Sequence, residues 1–229
     1  MKILVLNCGS SSIKYKLYNM DDKSVLAQGG VERIGLDEAF LKLTLPNGEK
    51  KVIMHDMPDH KEGVNFVFQT LLDKEIGAIN DLSEIDAVGH RIVQGGDKFN
   101  DSCIVTPEVE QGIEDLCDLA PVHNAGHLRG IRAVDALMPA TPQVVVFDNA
   151  FHSTMPEHAF LYAVPYKFYE DYHVRRYGST APVIVTYLNA CAITLVATLK
   201  PNASLPATSA TEPAWRPLSS ANALIRLWD

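Results

Sequence analysis

The chain has 229 residues, is 47 % hydrophobic and carries a formal net charge of -8 at pH 7. This length suffices for one large domain or two small ones with a packed core. The acidic balance, without any basic block, argues against nucleic acid as the main partner, so an anionic phosphate must be held by a few placed cations. The apolar run at the amino terminus is too short for a signal peptide.

Regular elements are predicted in the first 178 residues from the spacing of their apolar side chains. Alternation with period two predicts strands, and spacing of three and four predicts helices. The predicted strands span 2–7, 12–19, 87–93 and 143–148, and the predicted helices span 64–73, 108–119 and 124–137. Strands and helices mixed in this order predict an α/β fold.

The sequence changes in character after Gly178. All 14 glycines lie at or before this residue, whereas the segment 179–229 has neither Gly nor Phe and is rich in Ala, Pro, Thr and Ser. We therefore expect 179–229 to be an aberrant low-complexity tail rather than folded protein. Its apolar stretch at 183–199 is interrupted by polar residues, which favours an exposed, sticky segment over a membrane span.

Cysteine usage indicates a reducing compartment. The four cysteines are far apart and form neither a CxxC pair nor a cluster with zinc-like spacing; they are Cys8, Cys103, Cys117 and Cys191. Reduced thiols are the ordinary state of such residues in the cytoplasm. We therefore expect a cytoplasmic protein that does not bind a membrane.

The first candidate site is the turn between the first two predicted strands. Gly9 and the serines beside it allow a tight turn whose backbone N–H groups and hydroxyls can face a phosphate, and Lys14 adds a cation. The GxxxxGK[ST] spacing of a Walker loop is absent, and a strand follows where that motif needs a helix. A strand–turn–strand phosphate hairpin is typical of actin/hexokinase-like kinases. An ordinary hairpin turn is the alternative.

Three further segments carry candidate functional groups. A predicted strand delivers Arg91 beside a double glycine, and the arginine fork suits carboxylate or phosphate. Asp148 ends an apolar strand, where α/β proteins bind ligands. His123 and Asn124 follow a proline in a predicted loop. Each also has a simpler explanation: a surface ion pair for Arg91, a turn or cap residue for Asp148, and a helix cap for Asn124.

Five motifs recur together along the first 178 residues. They are Lys-Ile-Leu-Val-Leu-Asn-x-Gly-Ser-Ser-Ser-x-Lys at 2–14, Gly-His-Arg-x-Val-x-Gly-Gly at 89–96, Leu-Ala-Pro-x-His-Asn at 119–124, Phe-Asp-x-Ala-Phe-His-x-Thr-Met-Pro at 147–156 and Arg-Arg-Tyr-Gly at 175–178. This is their order in acetate kinases, and the chain resembles that family from Met1 to Gly178. Two departures are Gln94, where the family usually has His, and Ala125-Gly126-His127, where a run containing Pro is usual.

The resemblance implies a fold, a reaction and a set of site residues. The fold is an actin/hexokinase-like (ribonuclease H-like) amino-terminal domain, with the second domain missing or only begun near 150–178. The reaction is the reversible, magnesium-dependent transfer of phosphate from ATP to acetate, by a homodimer when full-length. The implied residues are Asn7 for magnesium, Ser10, Ser12 and Lys14 for the phosphates of ATP, Arg91 for the substrate, Val93 and Val122 for its methyl group, His123 for a phosphate or the transition state, and Asp148 as the essential acidic residue.

A proton-transfer role for Asp148 meets a chemical objection. A carboxylate substrate resembles Glu, with a pKa of about 4.3, and is already ionised at neutral pH. Phosphoryl transfer is mainly a matter of positioning and charge neutralisation. We therefore predict that Asp148 positions magnesium or a hydrogen-bonded group.

We infer that a one-base loss near the codon for Gly178, either a sequencing error or a real mutation, produced the tail. The family continues Phe-His-Gly-Thr-Ser-His-Arg-Tyr after Arg-Arg-Tyr-Gly, and one T restored before the codon for Ser179 permits that reading. The same frame permits His-Leu-Gly-Asn-Gly-Ala at 208–213 and Asp-Thr-Ser-Met-Gly at 224–228. We call the protein encoded in that frame the frame-restored chain. We expect the chain as written to be unstable and inactive.

Other functions stand beside that of an acetate kinase. A propionate or butyrate kinase would differ in the size of the acyl pocket. A non-enzymatic remnant that binds a nucleotide or a partner, and an actin-like assembly module without transfer chemistry, are alternatives from other classes. Arg91 and Asp148 within their motifs favour the kinase.

Overall fold

The computed structural model describes residues 1–45 and 48–178, so the predictions made for 179–229 lie outside the described residues. The strands are β1 (Lys2–Cys8), β2 (Ser12–Asn19), β3 (Ser24–Glu32), β4 (Phe40–Thr44), β5 (Lys50–Met54), β6 (Ala87–Ile92), β7 (Cys103–Ile104) and β8 (Gln143–Phe147). The helices are α1 (His60–Leu72), α2 (Pro107–Asp115), α3 (Pro121–Leu137), α4 (Glu157–Phe160) and α5 (Lys167–Tyr172). Among these, none has the length and apolar character needed to cross a membrane.

The described strands form one mixed sheet, in the order β5-β4-β3-β2-β1-β6-β8-β7. Strands β1 to β5 form an antiparallel meander. Strands β6 and β8 run parallel to β1, and the short β7 closes the edge antiparallel to β8. The predicted α/β class is confirmed, and β1 lies where the antiparallel half of the sheet meets the parallel half.

The two faces of the sheet differ because alternate side chains of each strand point to opposite sides. On one face, Cys8 of β1 joins apolar residues of α1 and α3 in the main core. On the same face, Ile92 and Phe147 pack with Leu128 of α3 in a second cluster. Each fully buried aliphatic side chain contributes about 1.5–3 kcal/mol. The residues that alternate with these point to the other face, away from α1 and α3.

Helix α1 begins at His60 because Asp59 caps it. The Asp59 carboxylate accepts a hydrogen bond from the backbone N–H of Glu62 at 2.9 Å, which satisfies one of the free donors of the first turn. The helix predicted at 64–73 is confirmed but starts four residues earlier. The apolar spacing begins only after this polar first turn, so it could not predict the true start.

Helix α3 crosses the end of β1 at short range. A Cβ atom added to Gly126 would lie 2.7 Å from the carbonyl oxygen of Gly9, and one added to Gly130 would overlap the side chain of Cys8. Residues four apart share a helix face, so these two glycines together let the helix backbone approach the turn after β1. Burial beneath the helix raises the pKa of the Cys8 thiol to about 12.

Two predictions around α3 are corrected. The helix predicted at 108–119 is α2 followed by a separate 3₁₀ turn at Leu116–Asp118. The predicted loop with His123 and Asn124 is the first turn of α3, which begins at Pro121, a position where the missing N–H of proline costs nothing. Asn124 therefore lies inside the helix and is not its cap.

Candidate active site

Three neighbouring parallel strands end at one edge of the sheet. Because β1, β6 and β8 are adjacent and parallel, their carboxyl ends meet, and open α/β sheets bind ligands in the crevice beyond such ends. Asn7 lies near the end of β1, Arg91 lies near the end of β6, and Asp148 follows β8 directly. The topology thus brings together residues that are far apart in the sequence.

Arg91 and Asp148 form a two-pronged ion pair at this edge. Nη2 of Arg91 lies 2.8 Å from Oδ2 of Asp148, and Nε lies 3.1 Å from Oδ1. The side chain of Asp148 is only 4 % exposed, and that of Arg91 is 23 % exposed. Arg91 is therefore not in an ordinary surface ion pair. A bidentate pair of this kind is strong and fixes the plane of the guanidinium.

The turn between β1 and β2, residues 9–11, is called the hairpin turn. The N–H of Gly9 closes it by donating to the carbonyl of Ser12 at 2.8 Å. Ser10 is exposed on the turn, and Ser12 is half-buried at the start of β2. The serine hydroxyls and backbone N–H groups of this turn are donors of the type that binds phosphate.

Asn7 and Lys14 lie directly opposite each other in the β1–β2 register. Their strand neighbours belong to the core beneath α1 and α3, so alternation places both side chains on the other face of the sheet. Arg91 and Asp148 fall on that same face, because their strand neighbours Ile92 and Phe147 point to the helices. Four predicted site residues therefore share one face and one edge.

Two asparagine side chains fasten the loop that follows β6, residues 94–96. Asn124 accepts a hydrogen bond from the N–H of Gln94 at 3.2 Å and donates to its carbonyl at 2.9 Å. Asn149 accepts from the N–H of Gly95 and donates to the carbonyl of Gly96, both at 2.8 Å. Each amide thus uses its acceptor and its donor on the loop backbone. The loop is tied both to α3 and to the residue after Asp148.

The remaining predicted residues lie beside this fastened loop. Val93 is half-buried between β6 and Gln94, whereas Val122 is 62 % exposed in the first turn of α3. His123 is exposed in the same turn. The bonds from Asn124 to the loop bring these two segments next to each other.

The site has oxygen donors suited to magnesium, but the described residues do not supply a full set of protein ligands for the ion. The amide oxygen of Asn7 and the carboxylate of Asp148 are hard ligands of the kind that Mg²⁺ prefers. Within residues 1–45 and 48–178, no group of three or more His, Cys, Asp or Glu side chains is placed to hold a metal ion. A magnesium ion here would need phosphate oxygens and water as its other ligands, which is common for this ion.

Sequence reasoning missed Asn149 and explained Asn124 incorrectly. The role of each depends on a loop that approaches from another strand, and no local pattern signals such an approach. The position of Asn149 directly after Asp148 was the one available hint. His60, which bonds the Gly9 carbonyl of the hairpin turn, and His127, which lies against Cys8 just before the turn, were missed for the same reason.

Comparison with known proteins identifies the family of the chain. The model of the acetokinase family matches residues 2–196. The chain belongs to the acetokinase family. The acetate kinase of Bacteroides fragilis is 59 % identical over 178 residues, which cover 78 % of this chain and 45 % of that protein. The acetate kinase of Halothermothrix orenii is 53 % identical over the same length.

Solved structures of acetokinases agree with this placement. The acetate kinase of Porphyromonas gingivalis has a TM-score of 0.78 and 51 % identity, covering 85 % of this chain and 49 % of that one. A propionate kinase from Francisella tularensis has a TM-score of 0.73 and 34 % identity, covering 84 % and 49 %. The predicted resemblance and fold are confirmed, and the chain spans about half the length of the relatives it matches.

Proposed function

We propose that this acetokinase chain serves the magnesium-dependent, reversible transfer of a phosphoryl group from ATP to acetate, which forms acetyl phosphate and ADP. The observation that carries the proposal is the bidentate Arg91–Asp148 pair, which lies on the same face and edge of the sheet as Lys14. An anchored guanidinium and an ammonium group supply the positive charge that a carboxylate and a phosphate require.

Arg91 binds the carboxylate of the substrate in this proposal, and Asp148 holds Arg91 in place. A carboxylate that is 4 % exposed needs a compensating partner, and the guanidinium is that partner. The pair therefore supports the version of our prediction in which Asp148 positions a hydrogen-bonded group. Asn7 contributes to the magnesium site, and Asp148 reaches the metal only in competition with Arg91.

The hairpin turn and Lys14 bind the phosphates of ATP. Ser10 and Ser12 add hydroxyl donors to the backbone N–H groups, and Lys14 adds the charge. His123, exposed in the first turn of α3, contacts the transferred phosphate. Fixed donors of this kind stabilise the charge of the transition state without reorganising during the reaction.

Acetate is the preferred substrate, with a propionate kinase as the second candidate. Val93 and Val122 form the wall of the acyl pocket, and branched side chains leave little room for a longer chain. The acetate kinases of Bacteroides fragilis and Halothermothrix orenii, at 59 % and 53 % identity, are closer in sequence than the Francisella tularensis propionate kinase, at 34 %. A butyrate kinase is the third possibility, and a homodimer is the proposed assembly of the full-length protein.

A coupled assay for acetyl phosphate tests this function. The frame-restored chain is given MgATP with acetate, propionate or butyrate, and acetate should give the highest kcat/KM. The chain as written is assayed beside it and is expected to be inactive, which would make it a non-enzymatic remnant. Arg91→Ala should remove activity, whereas Arg129→Ala, at an exposed arginine of α3, should not. Lack of transfer by the frame-restored chain would refute the proposal.

A further inference from the structure

Two buried histidines from different helices face consecutive peptide groups at the hairpin turn. His60 of α1 has its Nε2 atom 2.7 Å from the carbonyl oxygen of Gly9. His127 of α3 lies against the backbone of Cys8. The two side chains are 4 % and 3 % exposed, respectively. The turn is therefore held from the side that faces the helices.

His60 already makes its hydrogen bond. A carbonyl oxygen only accepts, so Nε2 of His60 must carry the proton and donate it to Gly9. Burial lowers the pKa of His60, whereas the bond to Gly9 acts in the opposite direction. The ring is thus a neutral donor that reaches the turn from the first residue of α1.

His127 is placed to do the same but has not completed the bond. In the described part of the chain, neither ring nitrogen of His127 has a hydrogen bond of normal geometry. Burial lowers its pKa to about 3, and the charge of Arg91 adds to this effect, while contact with the Cys8 backbone opposes it. His127 is therefore neutral, with one N–H donor available. A buried donor left without a partner in a native fold calls for an explanation.

The geometry of the peptide group links these histidines to the phosphate side of the turn. In a planar trans peptide, the carbonyl and the following N–H point in opposite directions. His60, by holding the carbonyl of Gly9, turns the N–H of Ser10 away from the helices. The carbonyl of Cys8 shares its peptide group with the N–H of Gly9, which closes the turn on Ser12. A hydrogen bond to that carbonyl polarises the group and strengthens the closing bond.

We propose that His60 and His127 are positioning residues for the hairpin turn: His60 fixes the Gly9–Ser10 peptide group in the free chain, and His127 donates to the Cys8 carbonyl when a phosphate occupies the turn. The second part rests on the proposed function, because it takes the turn as the phosphate site. Hydrogen bonds in a free site are often misaligned and tighten when the ligand binds. This proposal gives a reason for Ala125-Gly126-His127, which stands where the family usually has a run containing Pro. Gly126 permits the close approach of the helix, and His127 supplies the donor.

The first experiment uses the 229-residue chain without ligand, and the frame-restored chain beside it. His60→Phe removes the donor, His60→Gln keeps an amide N–H, and His158→Phe is the same change at an exposed histidine. Backbone amide NMR signals of the hairpin turn should shift and exchange faster with solvent in His60→Phe and recover in His60→Gln. Unchanged signals in His60→Phe would overturn the His60 part. A purely space-filling role would predict no recovery in His60→Gln.

The second experiment adds MgATP to the frame-restored chain, which is the parent chain for these variants. The ring N–H signal of His127 should move downfield on binding, and His127→Phe should weaken MgATP binding about tenfold while His127→Gln stays within about threefold of the parent. Lys14→Ala tests the phosphate site itself. If Lys14→Ala abolishes binding but His127→Phe leaves it unchanged, the His127 part of this inference fails while the ATP site stands. If the parent chain binds no MgATP, the ATP site and the His127 part fail together, and the ligand-free spectra alone decide the His60 part.

Discussion

Gly126 in α3 packs so closely on Gly9 of the hairpin turn that a Cβ atom at Gly126 would lie 2.7 Å from the Gly9 carbonyl oxygen. Backbone atoms set this distance. Relief of a clash here would therefore require the backbone of the helix or of the turn to shift, which is more costly than rotation of a flexible side chain. The carbonyl concerned is the one to which His60 donates. This contact between two glycines therefore links the position of α3 to the position of the turn.

Gly126→Ala should lower the free energy of unfolding by about 1–3 kcal/mol, because the methyl group overpacks a tight backbone contact. Urea unfolding of the frame-restored chain, the parent here, and of its Gly126→Ala variant measures this difference. Arg129→Ala, an exposed change on the same helix, should stay within about 0.5 kcal/mol of the parent. Equal stability of Gly126→Ala and the parent would mean that the helix is free to move away from the turn.

Asp148→Asn should lower the kcat of the frame-restored chain by about 100-fold or more and raise its KM for acetate. The neutral amide cannot accept both N–H groups of Arg91, so the guanidinium loses its fixed plane. Steady-state kinetics across magnesium concentrations measures the effect. A variant with normal magnesium dependence and only a shifted pH profile would favour proton transfer by Asp148 over positioning.

Asn124→Ala should cost about 2–3 kcal/mol of stability, because two hydrogen bonds to Gln94 are lost and their backbone partners are left in a half-buried place. Denaturant unfolding gives the number, and Asn100→Ala, at an exposed asparagine, is the matched control. Activity should fall as well, since the loop that follows Arg91 loses its tie to α3. A stable, fully active variant would contradict this account of the loop.

Stability should fall in mild acid because burial lowers the pKa of several histidines, and His90 is one of them. Burial lowers the pKa of His90 to about 4, although its bond to Gln143 acts the other way. The unfolded chain binds a proton near the ordinary value of 6.5, so this contribution is fully present above that pH and is lost as pH falls towards 4, by about 3 kcal/mol.

Urea unfolding at about pH 7 and about pH 4.5 checks this prediction. His90→Gln should lose less stability between the two pH values than the parent, because a neutral amide takes up no proton. His158→Gln, at an exposed histidine, should keep the slope of the parent. An identical slope in His90→Gln and the parent would show that other groups control the acid response.

The β1–β2 hairpin was predictable from sequence because its information is local. Ile13, Tyr15 and Leu17 alternate with Lys14 and Lys16, and the predicted second strand, Ser12–Asn19, has the bounds that the structure gives. The chemistry of Arg91 and Asp148 was likewise visible in their motifs. Their direct ion pair was not, because it depends on the parallel pairing of β6 with β8.

Strand β3 was missed because its sequence argues against a strand. Gly29 and Gly30 lower strand propensity, yet a Cβ at Gly29 would lie 2.6 Å from the carbonyl oxygen of Lys42 and 2.9 Å from the ring of Tyr15. Only a residue without a Cβ atom fits at this position between β4 and β2. Such a requirement exists only in the folded sheet, and so propensity cannot report it.

The fastening of the 94–96 loop by Asn124 and Asn149 bears on how the family can vary in length. Surface connections usually accept insertions and deletions. Here each amide meets a particular N–H or carbonyl of Gln94, Gly95 or Gly96, so one inserted residue would offer each amide the wrong peptide group. We therefore expect this connection to keep a constant number of residues while its side chains change, as Gln94 already has.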